Sequence, residues 1–184
     1  MGDLFSIGSA VISPCGTWRY RLDRDVQHEG IVIAYFGING STATADTDDH
    51  TVRKWIGFTS RNGGRRFIVG NPFAFRARHV SALALAPDPV GPDNDHHLRQ
   101  ITAEADLLVP CWGRRDKVPA NLRHQFDSLT ALILQSGKPV RIFGLTADGD
   151  PLHPLTLGYD RDLIAWAGYH APRADSNPGR SKGA

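Results

Sequence analysis

Residues Ile31 to Phe36 read IVIAYF, and Gly37-Ile38-Asn39-Gly40 follow directly. Six apolar residues without a break suit a strand covered on both faces, which is the habit of parallel sheets. Three more runs share that character: Phe67 to Gly70 (FIVG), Leu107 to Cys111 (LLVPC) and Val140 to Phe143 (VRIF). Each is followed within two residues by Gly or Asn. Pro110 inside the third run removes a ladder donor and speaks against full pairing there.

Helical spacings lie between the runs. Leu122, Phe126, Leu129 and Ile133 share one face of a helix that Pro119 opens and Gly137 follows. Thr51 to Ser60 predicts a second helix with Asp48 or Asp49 as its cap, and Asp95 to Ala105 a third. Gly16 to Leu22 alternates, which predicts an antiparallel edge or hairpin with Trp18, Tyr20 and Leu22 on one face. Strands alternating with helices predict right-handed βαβ units. The expected fold is α/β: a three-layer sandwich around a central four-stranded parallel sheet, with the N-terminal antiparallel piece added. One domain is expected over residues 1–170, and 171–184 reads as a disordered basic tail.

Composition narrows the function classes. The chain has 184 residues, 41% hydrophobic and 22% charged, as in ordinary globular domains. Its formal charge is +2. The tail carries Arg173, Arg180 and Lys182 against Asp175, which is the whole surplus. The body is therefore neutral, and any contact with nucleic acid must come from a local patch. Two cysteines, Cys15 and Cys111, are too few for a four-cysteine iron–sulfur or zinc site. No apolar run approaches the length of a membrane span, and no secretory signal is evident, so a cytoplasmic, membrane-free monomer is expected. No serine-nucleophile elbow and no phosphate-binding Gly-rich loop with Lys is present.

In an open parallel sheet, ligands bind outside the carboxyl ends of the strands. After the first run come Gly37, Ile38, Asn39, Gly40, Ser41 and Thr42. After the second come Asn71, Pro72 and Phe73, and after the third Trp112 and Gly113. His153-Pro154-Leu155-Thr156-Leu157 follows the fourth, past a turn at Asp148-Gly149-Asp150. The predicted fold gathers two Asn, a His, aromatics and glycines on one rim. Singly, each is an ordinary loop former.

These residues carry a resemblance. Asn39 to Asp46 (NGSTATAD), Asp48-Asp49-His50-Thr51, Asn71-Pro72-Phe73-Ala74-Phe75-Arg76, Trp112-Gly113 and His153-Pro154-Leu155 resemble a bacterial and phage family of unknown function. That family's pattern runs N-P-S-T-A-D, D-D-x-T, N-x-F-x-x-R, W-G and H-P-L. Gly40 replaces its usual proline. The family in turn is similar to the uracil-DNA glycosylase superfamily. There a four-stranded parallel sheet carries a G-I-N-P-G motif after strand one, an Asn after strand two, a W-G strand end and a final H-P-S-P-L motif.

The resemblance implies excision of uracil from DNA by base flipping, with no cofactor or metal, on DNA containing uracil or an abasic site. No obligate protein partner is implied. Catalysis would fall to Asn39, which orients a water, to His153, which stabilises the uracil oxygen, and to an acid among Asp46, Asp48 and Asp49, with Asp48 favoured. Gly37, Ile38 and Asn71 would hold the base, stacked on Phe73, Trp55 or Phe58. Ser41, Thr42, Leu155, Leu157, Arg65, Arg66, Arg114 and Arg115 would meet the DNA, with Leu155 or Leu157 as a wedge and Lys117 beside the arginines. Plainer readings stand beside these: capping for the acids, turns for the Asn and His, core for the aromatics, solvated loops for the arginines.

Two rival readings remain open. Asp46, Asp48, Asp49 and His50, with Asp93, Asp95, His96 and His97, would suit a metal-dependent nuclease or phosphohydrolase if loops let them converge. A non-catalytic binder of damaged DNA would keep the pocket without the chemistry.

Overall fold

A computed structural model describes residues 8–41, 43–45 and 47–169. The basic tail, Thr42 and Asp46 lie outside the described residues. The described residues form nine strands and three α-helices. In order they are β1 (Gly8–Ile12), β2 (Arg19–Asp25), β3 (Ile31–Phe36), β4 (Asn39–Gly40), α1 (His50–Arg61), β5 (Gly64–Gly70), β6 (Phe73–Arg76), α2 (Asn94–Glu104), β7 (Leu107–Pro110), α3 (His124–Gln135), β8 (Arg141–Ile142) and β9 (Ile164–Ala165).

The main sheet has five strands in the order β1-β2-β5-β3-β7. β5, β3 and β7 are parallel, while β1 and β2 are antiparallel additions beside β5. The sheet is thus mixed, and the expectation of four full parallel strands needs correcting. The fourth run reaches β7 through a single bridge, Leu108 to Val140. Leu108 N–H donates to Pro139 O at 3.0 Å. The next residue whose donor would face the same side, Pro110, has no N–H, so the ladder stops after one rung. Arg141 and Ile142 pair antiparallel with β9 instead.

Alternation along β3 distributes the core. Val32, Ala34 and Phe36 pack with Leu98 and Ile101 of α2 and with Phe126, Leu129 and Ile133 of α3. Ile33 and Tyr35 pack with Val52, Trp55 and Phe58 of α1. Helices therefore cover both faces, which is why the run could stay apolar throughout. α1 starts where Asp49 accepts from Val52 N–H at 2.9 Å, so Asp49 rather than Asp48 is the cap. α3 begins five residues later than Pro119 leads one to expect, because Ala120–Leu122 form a separate 3₁₀ turn. Gly137 follows α3 with φ +71°, as its position implies.

Tyr20 and Leu22 do not share a face. The β1–β2 register passes from Val11–Arg21 to Ile12–Arg19 and leaves Tyr20 unopposed. One extra residue in a strand resets the alternation. Leu22 stays with the α1 side, while the Tyr20 ring stacks on His97 of α2 at 4.9 Å. Among the described residues no helix is long and apolar enough to cross a membrane.

Phe126 joins α3 to the sheet, buried against Phe73 and Trp112 with ring centroids 5.8 and 5.4 Å away. Phe126→Ala should lower stability by about 3–5 kcal/mol, read from urea unfolding.

Candidate functional site

The carboxyl ends of β3, β5 and β7 open into a cavity of about 490 Å³. Gly37, Ile38, Asn39, Ser41, Trp55, Asn71, Trp112, Gly113, His153 and Leu155 line it. The rim expected from the order of motifs is therefore one physical cavity. Parallel pairing brings the two Asn side chains there. Phe36 pairs with Gly70 at the end of the main ladder, and three residues later Asn39 pairs with Phe73 in a second short parallel pair.

Asn39 is held by its amide nitrogen. Nδ2 donates to Ala77 O at 2.8 Å and to Gly40 O at 3.1 Å. Turning the amide over would set its oxygen against two carbonyls, so Oδ1 remains as the free acceptor. Asn71 is only 4% exposed, yet its carboxamide makes no hydrogen bond with the described residues. Its backbone is pinned from α2, where the buried Asn94 donates to Asn71 O at 2.9 Å and to Pro72 O at 3.3 Å. Gly37 keeps the approach clear: a Cβ there would sit 2.9 Å from Asn71 Oδ1.

His153 reaches the cavity through the loop after β8. Gly113 N–H donates to Pro151 O at 2.8 Å and ties that loop to the end of β7. Gly113 has φ +73°, and a Cβ there would press on His153 Cβ at 3.2 Å. The ring's Nδ1 accepts from Leu155 N–H at 3.3 Å. That bond assigns the proton to Nε2 and makes it the ring's donor. Burial, with the Lys117 charge adding to it, pushes the imidazole pKa down to about 4, while Asp49 opposes the shift. His153 is neutral at physiological pH.

Several expected site residues are elsewhere. Asp48 pairs with the buried Arg24 at 2.8 Å and does not line the cavity; Asp49 does, although it also caps α1. Phe58 and Phe73 are fully buried core rings, so Trp55 is the stacking candidate that reaches the cavity. Its ring lies stacked on Tyr35 at 5.7 Å. Leu155 stands at the wall, 44% exposed, whereas Leu157 packs into the α1-side core. Arg65 and Arg66 sit at the end of β5 opposite Asn71, and Arg66 is paired with Glu104. Arg115 is held by Asp150 at 2.6 Å and Arg114 by Asp116. These four arginines take no part in the cavity.

The acidic clusters do not converge either. Among the described residues no three His, Cys, Asp or Glu side chains gather as a metal site. Sequence reading passed over Arg19, Arg78, Thr51 and Val80, which also line the cavity. Arg19 stood in an alternating strand with nothing to set it apart, and only the Tyr20 bulge turns it this way.

Comparison with curated proteins and with solved structures finds no match. A family described as "Protein of unknown function (DUF1643)" matches residues 19–155. The matched stretch begins at Arg19 and ends at Leu155, so it holds every cavity residue named above. The chain belongs to this family, DUF1643.

Proposed function

We propose that the cavity excises uracil from DNA, with the base flipped into it. The observation that carries the proposal is Asn71: a carboxamide buried in the cavity wall with neither end taken up by the described residues. A planar amide edge is its natural complement. Uracil offers O4 as acceptor and N3–H as donor, which the Asn71 donor and acceptor match; the cytosine edge reverses that order. The ordered likeness of Gly37-Ile38-Asn39, Asn71, Trp112-Gly113 and His153-Pro154-Leu155 to uracil-DNA glycosylase motifs supports the same reading.

Hydrolysis breaks the bond between uracil N1 and the sugar C1′ and joins C1′ to a water oxygen. Asn39 Oδ1 accepts a hydrogen bond from that water and aims it. Asp49, on the same cavity wall, stabilises the positive charge that builds on the sugar and takes the water's proton. The bond's electron pair leaves with uracil, whose O2 receives a hydrogen bond from the neutral His153 Nε2–H. The proton finally resides on the departing uracil. Fixed donors aimed at developing charge are the strongest lever available here. Trp55 stacks on the base, and Leu155 fills the gap left in the duplex.

Uracil-containing single- and double-stranded oligonucleotides, incubated in EDTA and cleaved with alkali, test the proposal. Asn39→Ala, Asn71→Ala and His153→Ala should each reduce strand scission at least about tenfold. Binding of the uracil strand without any abasic product would leave only a binding role and defeat the catalytic reading.

The acid limb of the same assay should follow the low pKa of His153. Scission should stay level as pH falls through about 6.5, where a free histidine takes its proton. It should fall only as the ring protonates at about 4. An NMR titration of His153 should show Lys117→Ala raising that pKa and Asp49→Asn lowering it further, since the first change removes a repulsive charge and the second an attractive one.

A further inference from the structure

We propose that Arg19, with Lys117 at the rim, forms a phosphate subsite in this cavity, taking the phosphate of the nucleotide whose base Asn71 reads. The assignment of the base rests on the function proposed above; the phosphate subsite rests on Arg19 itself.

Arg19 is 4% exposed and lines the cavity. The bulge at Tyr20 aims it there. Arg21 and Asp23, further along β2, face the other way, where Arg21 pairs with Glu104 of α2. With one residue added, Arg19 falls instead on the side of Leu22 and Arg24, against the α1 face. Bulges re-aim side chains in this manner beside functional sites.

Among the described residues the guanidinium is underused. Of its five N–H donors, one at Nη1 bonds Ala43 O at 2.9 Å. Among the described residues Arg19 has no ion pair, whereas Arg21, Arg24, Arg66, Arg114 and Arg115 each have at least one. Arg24 makes the instructive comparison. It holds the next carbonyl, Thr44 O, and is equally buried, but Asp48 balances its charge. Holding one carbonyl does not require a buried cation without a direct ion pair among the described residues, because a neutral donor would do so without the cost of desolvation. Burial lowers the Arg19 pKa to about 10; the Asp49 charge opposes that shift, and the charges of Arg76 and Arg24 add to it.

The surroundings favour an anion. Among the described residues Arg19, Arg78 and Lys117 line the cavity against one carboxylate, Asp49, and one Asp49 oxygen is already occupied by the Val52 N–H. The cavity also has more room than one pyrimidine ring needs, so sugar and phosphate can enter with the base. A planar fork of donors fits phosphate oxygens in pairs.

The experiment compares binding of deoxyuridine and deoxyuridine 5′-monophosphate by calorimetry on the full chain. The monophosphate should bind wild type at least about tenfold more tightly than the nucleoside. That ratio should collapse toward one in Arg19→Met and shrink several-fold in Lys117→Gln, with the nucleoside's own affinity little changed. A wild-type ratio near one, or a ratio that survives Arg19→Met, overturns the proposal. Should Arg19→Met fail to fold, Lys117→Gln at its exposed position still decides, because an unchanged ratio there rejects the subsite as described.

Deoxycytidine 5′-monophosphate separates the two readings. If it binds as tightly as the uracil nucleotide and still depends on Arg19, the phosphate subsite stands and the uracil assignment falls. An oligonucleotide with neutral methylphosphonates flanking the target distinguishes the sources. An Arg19-dependent loss of affinity assigns the subsite to a strand phosphodiester; Arg19 dependence confined to the mononucleotide assigns it to a free nucleotide.

Discussion

The parallel ladder between β3 and β5 ends at Phe36 and Gly70, and three residues later the same two chain segments pair again at Asn39 and Phe73. Asn39 and Asn71 thus leave adjacent strands at matched positions and are held by backbone pairing rather than by side-chain chance. Gly37, in the gap between the two ladders, leaves space for the Asn71 amide. Ala77 and Gly40 supply carbonyls that orient Asn39. Without the second pair, both amides would sit on loops free to turn toward water.

Around this frame, most buried charged side chains among the described residues are matched. Arg24 has Asp48, and Arg115 has Asp150. Asn94 spends its amide on the backbone of Asn71 and Pro72. Asn71 and Arg19 keep donors unused by the described residues although both are nearly fully buried. An unmet buried donor costs free energy that the fold must supply elsewhere. In the proposed function a ligand meets them: a carboxamide and a guanidinium on one cavity would suit a ligand with an amide edge and an anionic group.

His153 shows how one contact can serve structure and, in the proposed reaction, chemistry. Its Nδ1 accepts from the Leu155 N–H and stabilises the 3₁₀ turn at Pro154–Thr156, as a turn histidine would. The same bond selects the tautomer that leaves Nε2–H as donor. Burial keeps the ring neutral. The turn reading of this residue is therefore compatible with its proposed role.

What the sequence determined by itself was whatever depends on spacing between near neighbours. The unbroken apolar runs at Ile31 and Phe67 announced strands covered on both faces. The spacing of Leu122, Phe126, Leu129 and Ile133 announced α3, and Asn39, Asn71 and His153 stood out because each follows a strand end. Tertiary structure decided which of several equivalent side chains reaches the cavity. Asp48 and Asp49 are adjacent, but Arg24 claims the first while the second caps α1 at the cavity wall. Trp55 and Phe58 lie three apart on one buried helix face, and only Trp55 sits near enough to the strand ends. The loss of the fourth parallel strand depended on which edge Pro110 faces, and the aim of Arg19 on a bulge set by pairing with β1. Local spacing cannot encode these outcomes, because each follows from a register between segments distant in the chain.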